Sequence, residues 1–458
     1  MENRSVIMAM MLIFLISIVS VSCSSTGKKS ADDTSAGNRP MSFASDDEFL
    51  TYIQRQHFRY MWDGAEPNSG MAPERIHMDG HYPQDDEDVV TTGGSGFGIM
   101  NLILGMERGF ITRDEGVDRL HRIVAFLETA DRFRGIWPHW LSGPTGRVRP
   151  FSRKDNGGDI VESAFLIQGL LTAHEYLNPN STVESQLRAR IDKMWREMNW
   201  DFYTNGENVL FWHWSPEYGW EMAHPIRGYD ECLIAYVLAA SSPTFPIREE
   251  VYHQGWARGG NIRSNMEAFG FPLEVKHNGA EAMGGPLFWS HYSYLGLDPR
   301  GLRDDYADYW QLNISHAKIN HRYCVVNPKS FAAYGDSCWG LTASYSVNGY
   351  SAHAPNNDLG VITPTAALSS FPYSPHESMK ALKFFYFTLG DKIWGEYGFY
   401  DAFSVEHDWY IERYLAIDQN TIAPMIENHR TGLLWDLFMR HPDVQNGLMR
   451  LGFTSPHF

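Results

Sequence analysis

From Ser45 onward, apolar residues recur at helical spacing between capping signals. "SDDE" (Ser45 to Glu48) reads as a capping box that opens an amphipathic run to Trp62. "TRDE" (Thr112 to Glu115) opens another, with Val117, Leu120, Val124 and Leu127 on one face. The same pattern predicts helices over Gly96 to Arg108, Asp159 to Tyr176, Ser185 to Trp200, Asp230 to Ala240, Leu302 to His316, Pro375 to Leu389 and Gln419 to Phe438. Long loops rich in Gly, Pro and aromatic residues separate them, such as "FRGIWPHWLSGPTGRVRPFSRKDNGG" and "WGLTASYSVNGYSAHAPNNDLG". No run of short alternating strands signals a sandwich, and no βαβ rhythm carries a phosphate loop. "TTGGSGFG" (Thr91 to Gly98) lacks a preceding apolar strand and a later GK[ST], so it reads as a closely packed helix start. Long helices alternating with decorated loops fit an all-α ring of paired helices whose loops gather into a cleft at one end.

The first residues follow another pattern. A charge at Arg4, an apolar run from Val6 to Val19 and small residues before Cys23 form a secretory signal, too short for a stable transmembrane helix. The small residues before Cys23 resemble a bacterial lipoprotein processing site, although Ser20 and Val21 depart from the usual pattern. Lipidation at Cys23 is therefore expected. Residues 1–22 are expected to be the signal peptide, 23–42 a polar flexible tether and 43–458 one catalytic domain, placing the protein in the bacterial cell envelope with the membrane touched only through its lipid.

The formal net charge of −17 disfavours nucleic acid and strongly anionic polysaccharides, whose binding needs a basic surface. With 15 Trp and 23 Tyr, the chain has enough amphipathic rings both for a core and for a sugar-binding cleft. Cys232, Cys324 and Cys338 show no zinc-ligand spacing, and a bridge between Cys324 and Cys338 is left open beside free thiols. No metal or other cofactor is expected.

Three acidic junctions carry the candidate chemistry. In "KDNGGDIVESAFL", Asp159 and Glu162 fit a capping box, and Asp155 lies one Gly-rich turn earlier. In "HPIRGYDECLIAY", Glu231 sits where loop passes into apolar helix, with Arg227 before it; a Glu among aromatic rings loses hydration and gains the raised pKa that a general acid needs. In "GEYGFYDAFSVEHDWY", Asp401 stands beside Tyr397. Cleaving a glycosidic bond takes one carboxylic acid and usually a second carboxylate. Trp137, Trp140, Trp212, Trp214 and Trp289 are candidate stacking platforms, with core packing as the plain alternative for each.

The segments "DNGGDIVESAFLIQGLL", "GYDECLIAYVLA", "GGPLFWSHYSYLGLDPRG" and "GEYGFYDAFS", in that order, resemble the bacterial glycoamylase-like domain of glycoside hydrolase family 144. The resemblance covers about residues 45 to 450. It implies an (α/α)6 toroid with a β-1,2-glucan cleft, hydrolysed with inversion and without a metal. The family's acidic residues fall on Asp155, Asp159, Glu162 and Glu231. Glu231 is expected as general acid, Asp155, Asp159 and Glu162 as holders of sugar or water, and Asp401 as the base side; a monomer is expected. The acidic insert "HMDGHYPQDDEDVV" (His77 to Val90) is expected to plug one end of the cleft, which favours exo release of sophorose from the non-reducing end over endo cleavage. A non-catalytic glycan-binding lipoprotein and a polysaccharide lyase are the competing classes.

Overall fold

The computed structural model describes residues 41–458; the signal, Cys23 and nearly all of the tether lie outside the described residues. Among the described residues thirteen α-helices run in chain order: α1 (Asp46–Trp62), α2 (Thr92–Glu107), α3 (Arg113–Thr129), α4 (Ile160–Tyr176), α5 (Thr182–Glu197), α6 (Leu233–Ser241), α7 (Tyr309–Val326), α8 (Pro364–Leu368), α9 (Pro375–Phe387), α10 (Gly390–Ile393), α11 (Ala416–Arg430), α12 (Leu433–Arg440) and α13 (Pro442–Arg450). They divide by sequence pattern. α1, α3 and α5 bury one stripe and keep charge on the other face, whereas α2, α4, α6 and α8 are buried nearly all round. Helices without a polar face must lie inside. α2 packs between α4 and α11, α4 also meets α6, and α11 also meets α8, while α1, α3, α5 and α12 cover them from outside. This is the (α/α)6 toroid.

Glycine sets the closest approach in the inner ring. A Cβ on Gly96 would lie 2.1 Å from the Phe165 carbonyl oxygen, and one on Gly169 would lie 2.1 Å from the Gly96 oxygen, so α2 and α4 touch backbone to backbone. "TTGGSGFG" is thus a packing surface, and its helix begins at Thr92, four residues before the expected start at Gly96.

Besides α2, and α5, which runs Thr182–Glu197 against the expected Ser185–Trp200, three helices differ from those read in the sequence. The helix expected over Leu302–His316 starts at Tyr309 and runs to Val326, because the Asp304 carboxylate captures the Tyr306 and Ala307 N–H groups in a turn and Asp308 becomes the cap. Gln419–Phe438 is two helices, broken at Gly432, which takes φ +75° between α11 and α12. The Asp230–Ala240 helix begins only at Leu233, since Asp230 Oδ1 accepts the Cys232 N–H and holds the preceding residues in a turn. The strands among the described residues are short pairs within the loops, grouped into seven small antiparallel sheets. Cys232, Cys324 and Cys338 are buried free thiols, so the open question of a Cys324–Cys338 bridge closes on the unbridged form.

Candidate active site

The expected capping box at α4 forms by half, and the missing half makes the site. Asp159 Oδ1 accepts the N–H groups of Val161 (2.9 Å) and Glu162 (3.0 Å), as an N-cap should. Glu162 does not reach back to the cap. Its Oε2 accepts the Gly93 N–H at the start of α2 (2.8 Å), where a Cβ on Gly93 would lie 2.4 Å from that oxygen. The N-terminus of α2 therefore points at a carboxylate carried on the first turn of α4.

Asp159 has a second set of partners on Oδ2: His139 Nδ1 at 3.1 Å, Trp212 Nε1 at 3.1 Å and His213 Nε2 at 3.3 Å. His213 Nε2 also lies 3.1 Å from Asp155 Oδ2, and His139 Nε2 lies 3.8 Å from Glu162 Oε1. Burial alone would lower both imidazole pKa values; the carboxylates reverse this and hold His139 at about 10 and His213 at about 9, so both are cations at neutral pH. Burial would raise Asp159, but the same two histidines keep it well below the usual carboxylate range. Phe151 stacks on His139 with ring centroids 4.3 Å apart.

Above this network lies a cavity of about 380 Å³. Glu162, Glu231, Glu74, Arg75, His139, Trp140, Trp212, Tyr292, Tyr345 and Tyr350 are among its walls. Acid groups and aromatic faces converge there, as a small polar ligand requires. Burial raises Glu231 well above the ordinary range, and the neighbouring Asp230 raises it further. Burial also lifts Glu162 to about 7 and raises Glu74. Glu231 is partly exposed and lines the cavity, so a carboxyl group with a raised pKa is open to a ligand there. Asp401, expected as the base side, is buried and is not on the cavity wall; it sits behind Tyr345, which is. Its Oδ2 accepts the Tyr345 N–H (2.8 Å), and burial raises it to about 7. It is paired with Asp418 of α11, whose Oδ1 accepts the Tyr292 hydroxyl (3.1 Å) and which burial, then Asp401, raises well above the normal range. Two adjacent buried carboxyls hold a proton between them more readily than two charges.

The structure thus brings Glu162, Glu231, Trp140 and Trp212 to the cavity wall, with Asp155 and Asp159 directly behind His139. Other expected site residues lie elsewhere. Trp137 is 0% exposed and donates to the Leu127 carbonyl, so no sugar can stack on it. Trp289 is buried with its ring edge against Gly285 and beside His277. Trp214 packs on Phe202 and Phe133 away from the cavity. Arg227 donates to the Gln254 carbonyl, and Tyr397 packs on Tyr60 and Tyr414 beside a separate groove. Sequence reasoning passed over His139, Glu74, Tyr292 and Asp418. His139 lies inside the quoted "WPHW" and Tyr292 inside "FWSHYSY", but Asp418 has no flanking signal in "AIDQN". The insert His77–Val90 does reach the cavity, through Gln84; its acids instead hold it in place, Asp86 on Arg75 (3.2 Å) and Asp88 on Arg149 (2.7 Å).

The glycoamylase family model, described as "putative glucoamylase", matches residues 223–442. The chain is similar to an exo β-1,2-glucooligosaccharide sophorohydrolase (non-reducing end) of Parabacteroides distasonis, 44% identical over 91% of the chain, but it spans only 59% of that relative's length. Among solved structures it resembles an endo-β-1,2-glucanase from Chitinophaga pinensis, in complex with sophorotriose and glucose, at 57% identity and TM-score 0.90, covering 91% of this chain and 100% of that one. It also resembles a β-1,2-glucanase from Parabacteroides distasonis at 43% identity and TM-score 0.84, covering 89% of this chain and 60% of that one.

Proposed function

The chain belongs to the bacterial glycoamylase-like family, glycoside hydrolase family 144, and from that premise we propose that it hydrolyses β-1,2-glucosidic bonds of β-1,2-glucan and its oligosaccharides. The observation that carries the proposal is Glu231. Burial and the neighbouring Asp230 raise its pKa well above the usual carboxylate range, as a general acid needs, and it faces a cavity that also holds Glu162 and the aromatic faces of Trp140 and Trp212. In this reading Glu231 donates its proton to the leaving glycosidic oxygen as the C–O bond breaks. A water attacks the anomeric carbon from the opposite face, giving inversion. The proton that this water releases passes through the Tyr292 hydroxyl, which lines the cavity and donates to Asp418, to the Asp401–Asp418 pair, with one of the two carboxyls ionised at the moment of attack. Asp155 and Asp159 hold His139 and His213 as cations, and His139 in turn faces Glu162, so these carboxylates organise the wall without donating the proton.

The exo mode, with sophorose leaving from the non-reducing end, rests on the insert His77–Val90. Two ion pairs fix it, and Gln84 lines the cavity with hydrogen-bonding capacity for terminal hydroxyls. Endo cleavage is the second reading, favoured by the likeness to the Chitinophaga glucanase over its full length. Linear β-1,2-glucan followed over time separates them. Disaccharide accumulating from the outset supports exo action, an early ladder of sizes supports endo action, and no product, with Glu231→Gln indistinguishable from wild type, removes the hydrolase reading. We further propose that the protein is an exported monomeric lipoprotein anchored through Cys23, a reading supported by the apolar run from Val6 to Val19 ahead of that cysteine. Metabolic labelling with a fatty acid, lost in Cys23→Ser, tests it.

A further inference from the structure

The last turn of α4 carries a second cluster of ligand-type side chains, at the opposite end of the helix from Glu162. His174 Nδ1 lies 2.8 Å from Glu175 Oε1, and the His174 and His441 ring centroids are 5.3 Å apart. Ligand atoms from His174, Glu175 and His441 all fall within 4.8 Å of one another. His441 is 4% exposed, and its Nδ1 is buried without a hydrogen-bond partner among the described residues. A buried imidazole nitrogen left unpaired costs free energy unless something fills its lone pair or takes its proton. Two imidazoles and one carboxylate are a borderline nitrogen and oxygen donor set, which suits Zn²⁺ and does not suit Ca²⁺ or Mg²⁺. Arg188, with Nη2 3.8 Å from Glu175 Oε1, opposes a cation there but already donates to the His174 and Leu177 carbonyls, which hold its guanidinium to the side.

We propose that His174, Glu175 and His441 bind one Zn²⁺ ion that staples the C-terminal end of α4 to the junction of α12 and α13. Glu162 is twelve residues earlier on the same helix, roughly 18 Å away at 1.5 Å per residue, so the ion is structural and takes no part in the cleft chemistry. The remaining coordination positions are filled by water, since His174 and Glu175 are partly exposed.

The test uses the full chain stripped with a chelator and titrated with Zn²⁺ alone, read by calorimetry and by thermal unfolding. One ion per chain is expected, with a melting rise of about 3 °C at a hundredfold excess over Kd. Mg²⁺ and Ca²⁺ should give no rise. The paired variant H174Q/H441Q, which keeps size and hydrogen-bonding capacity, should melt like the stripped wild type and show no Zn²⁺-dependent rise while retaining activity. Zinc uptake undiminished in H174Q/H441Q places the ion elsewhere, for example on His139, Asp155 and Asp159, and overturns the proposal; so does the absence of uptake by wild type. If the paired variant fails to fold, Glu175→Gln replaces it, and unchanged zinc affinity in that variant overturns the proposal.

Discussion

Asp159→Asn isolates the part of the site that the structure makes most explicit. An asparagine keeps an oxygen for the Val161 and Glu162 N–H groups, so the cap, worth about 1 kcal/mol, survives. Its amide group replaces the oxygen that now accepts from His139, Trp212 and His213, and sets donors against donors. Each charge-assisted bond is worth roughly 1.5–3 kcal/mol, but the three share one oxygen and do not add. The dominant cost is two imidazolium groups deprived of a carboxylate, His213 buried and His139 partly open to the cavity, and a broken buried pair of this kind costs about 3–5 kcal/mol. At the usual unfolding entropy per residue, a chain of this length should melt about 3–6 °C lower. The assay is thermal unfolding by calorimetry together with an NMR titration of the imidazole C–H signals. His139 and His213 should titrate well below their native values of about 10 and 9. A variant that melts within about 1 °C of wild type and leaves both histidines titrating near 9 to 10 would refute the reasoning, because Asp159 could then not be their anchor.

Other changes separate catalytic from structural roles. Glu231→Gln should lower kcat about 10²–10⁴-fold with little change in melting, measured by reducing-sugar release. Trp140→Ala should raise KM about tenfold for the oligosaccharide, whereas Trp137→Ala should lose about 3–5 kcal/mol of stability in denaturant unfolding, in keeping with their places on the wall and in the core. Gly96→Ala pushes a methyl to within 2.1 Å of the Phe165 oxygen and should destabilise by about 1–3 kcal/mol or more, visible in the same unfolding experiment. The histidine cations give a pH dependence of definite sign. Their folded pKa values, about 10 and 9, stand above the unfolded 6.5, so their stabilisation is complete below pH 6.5 and is lost as pH rises through 9 to 10. Melting temperature should fall over that alkaline window, and less so in Asp159→Asn.

Of the inner helices, α2, α4, α6 and α11 were legible because their cause is local, whereas the five-residue α8 was not read from the sequence. α4 is apolar all round, with its cap residue at Asp159, and both features are written in consecutive residues. The boundaries that moved were decided by single side-chain captures, Asp304 on two N–H groups and Asp230 on one, which compete with a helix pattern that otherwise runs through. The acidic junctions were legible as places, not as geometry. Glu162 reads as half of a capping box, and only the neighbouring helix shows that its carboxylate turns to Gly93. Asp418 left no trace because its role depends on Asp401 and Tyr292, seventeen and 126 residues away in the chain. The Trp candidates sorted by burial and position, which composition cannot supply: Trp140 and Trp212 on the wall, Trp137 and Trp289 inside, and Trp214 half-buried but away from the cavity.

The most direct measurement is the product profile of the full chain on linear β-1,2-glucan, sampled from the first turnovers and repeated with Glu231→Gln. The account predicts sophorose from the outset with wild type and at least a hundredfold less product with the variant, at equal substrate binding. Substrate bound but never cleaved by wild type, or cleaved equally by Glu231→Gln, would contradict it.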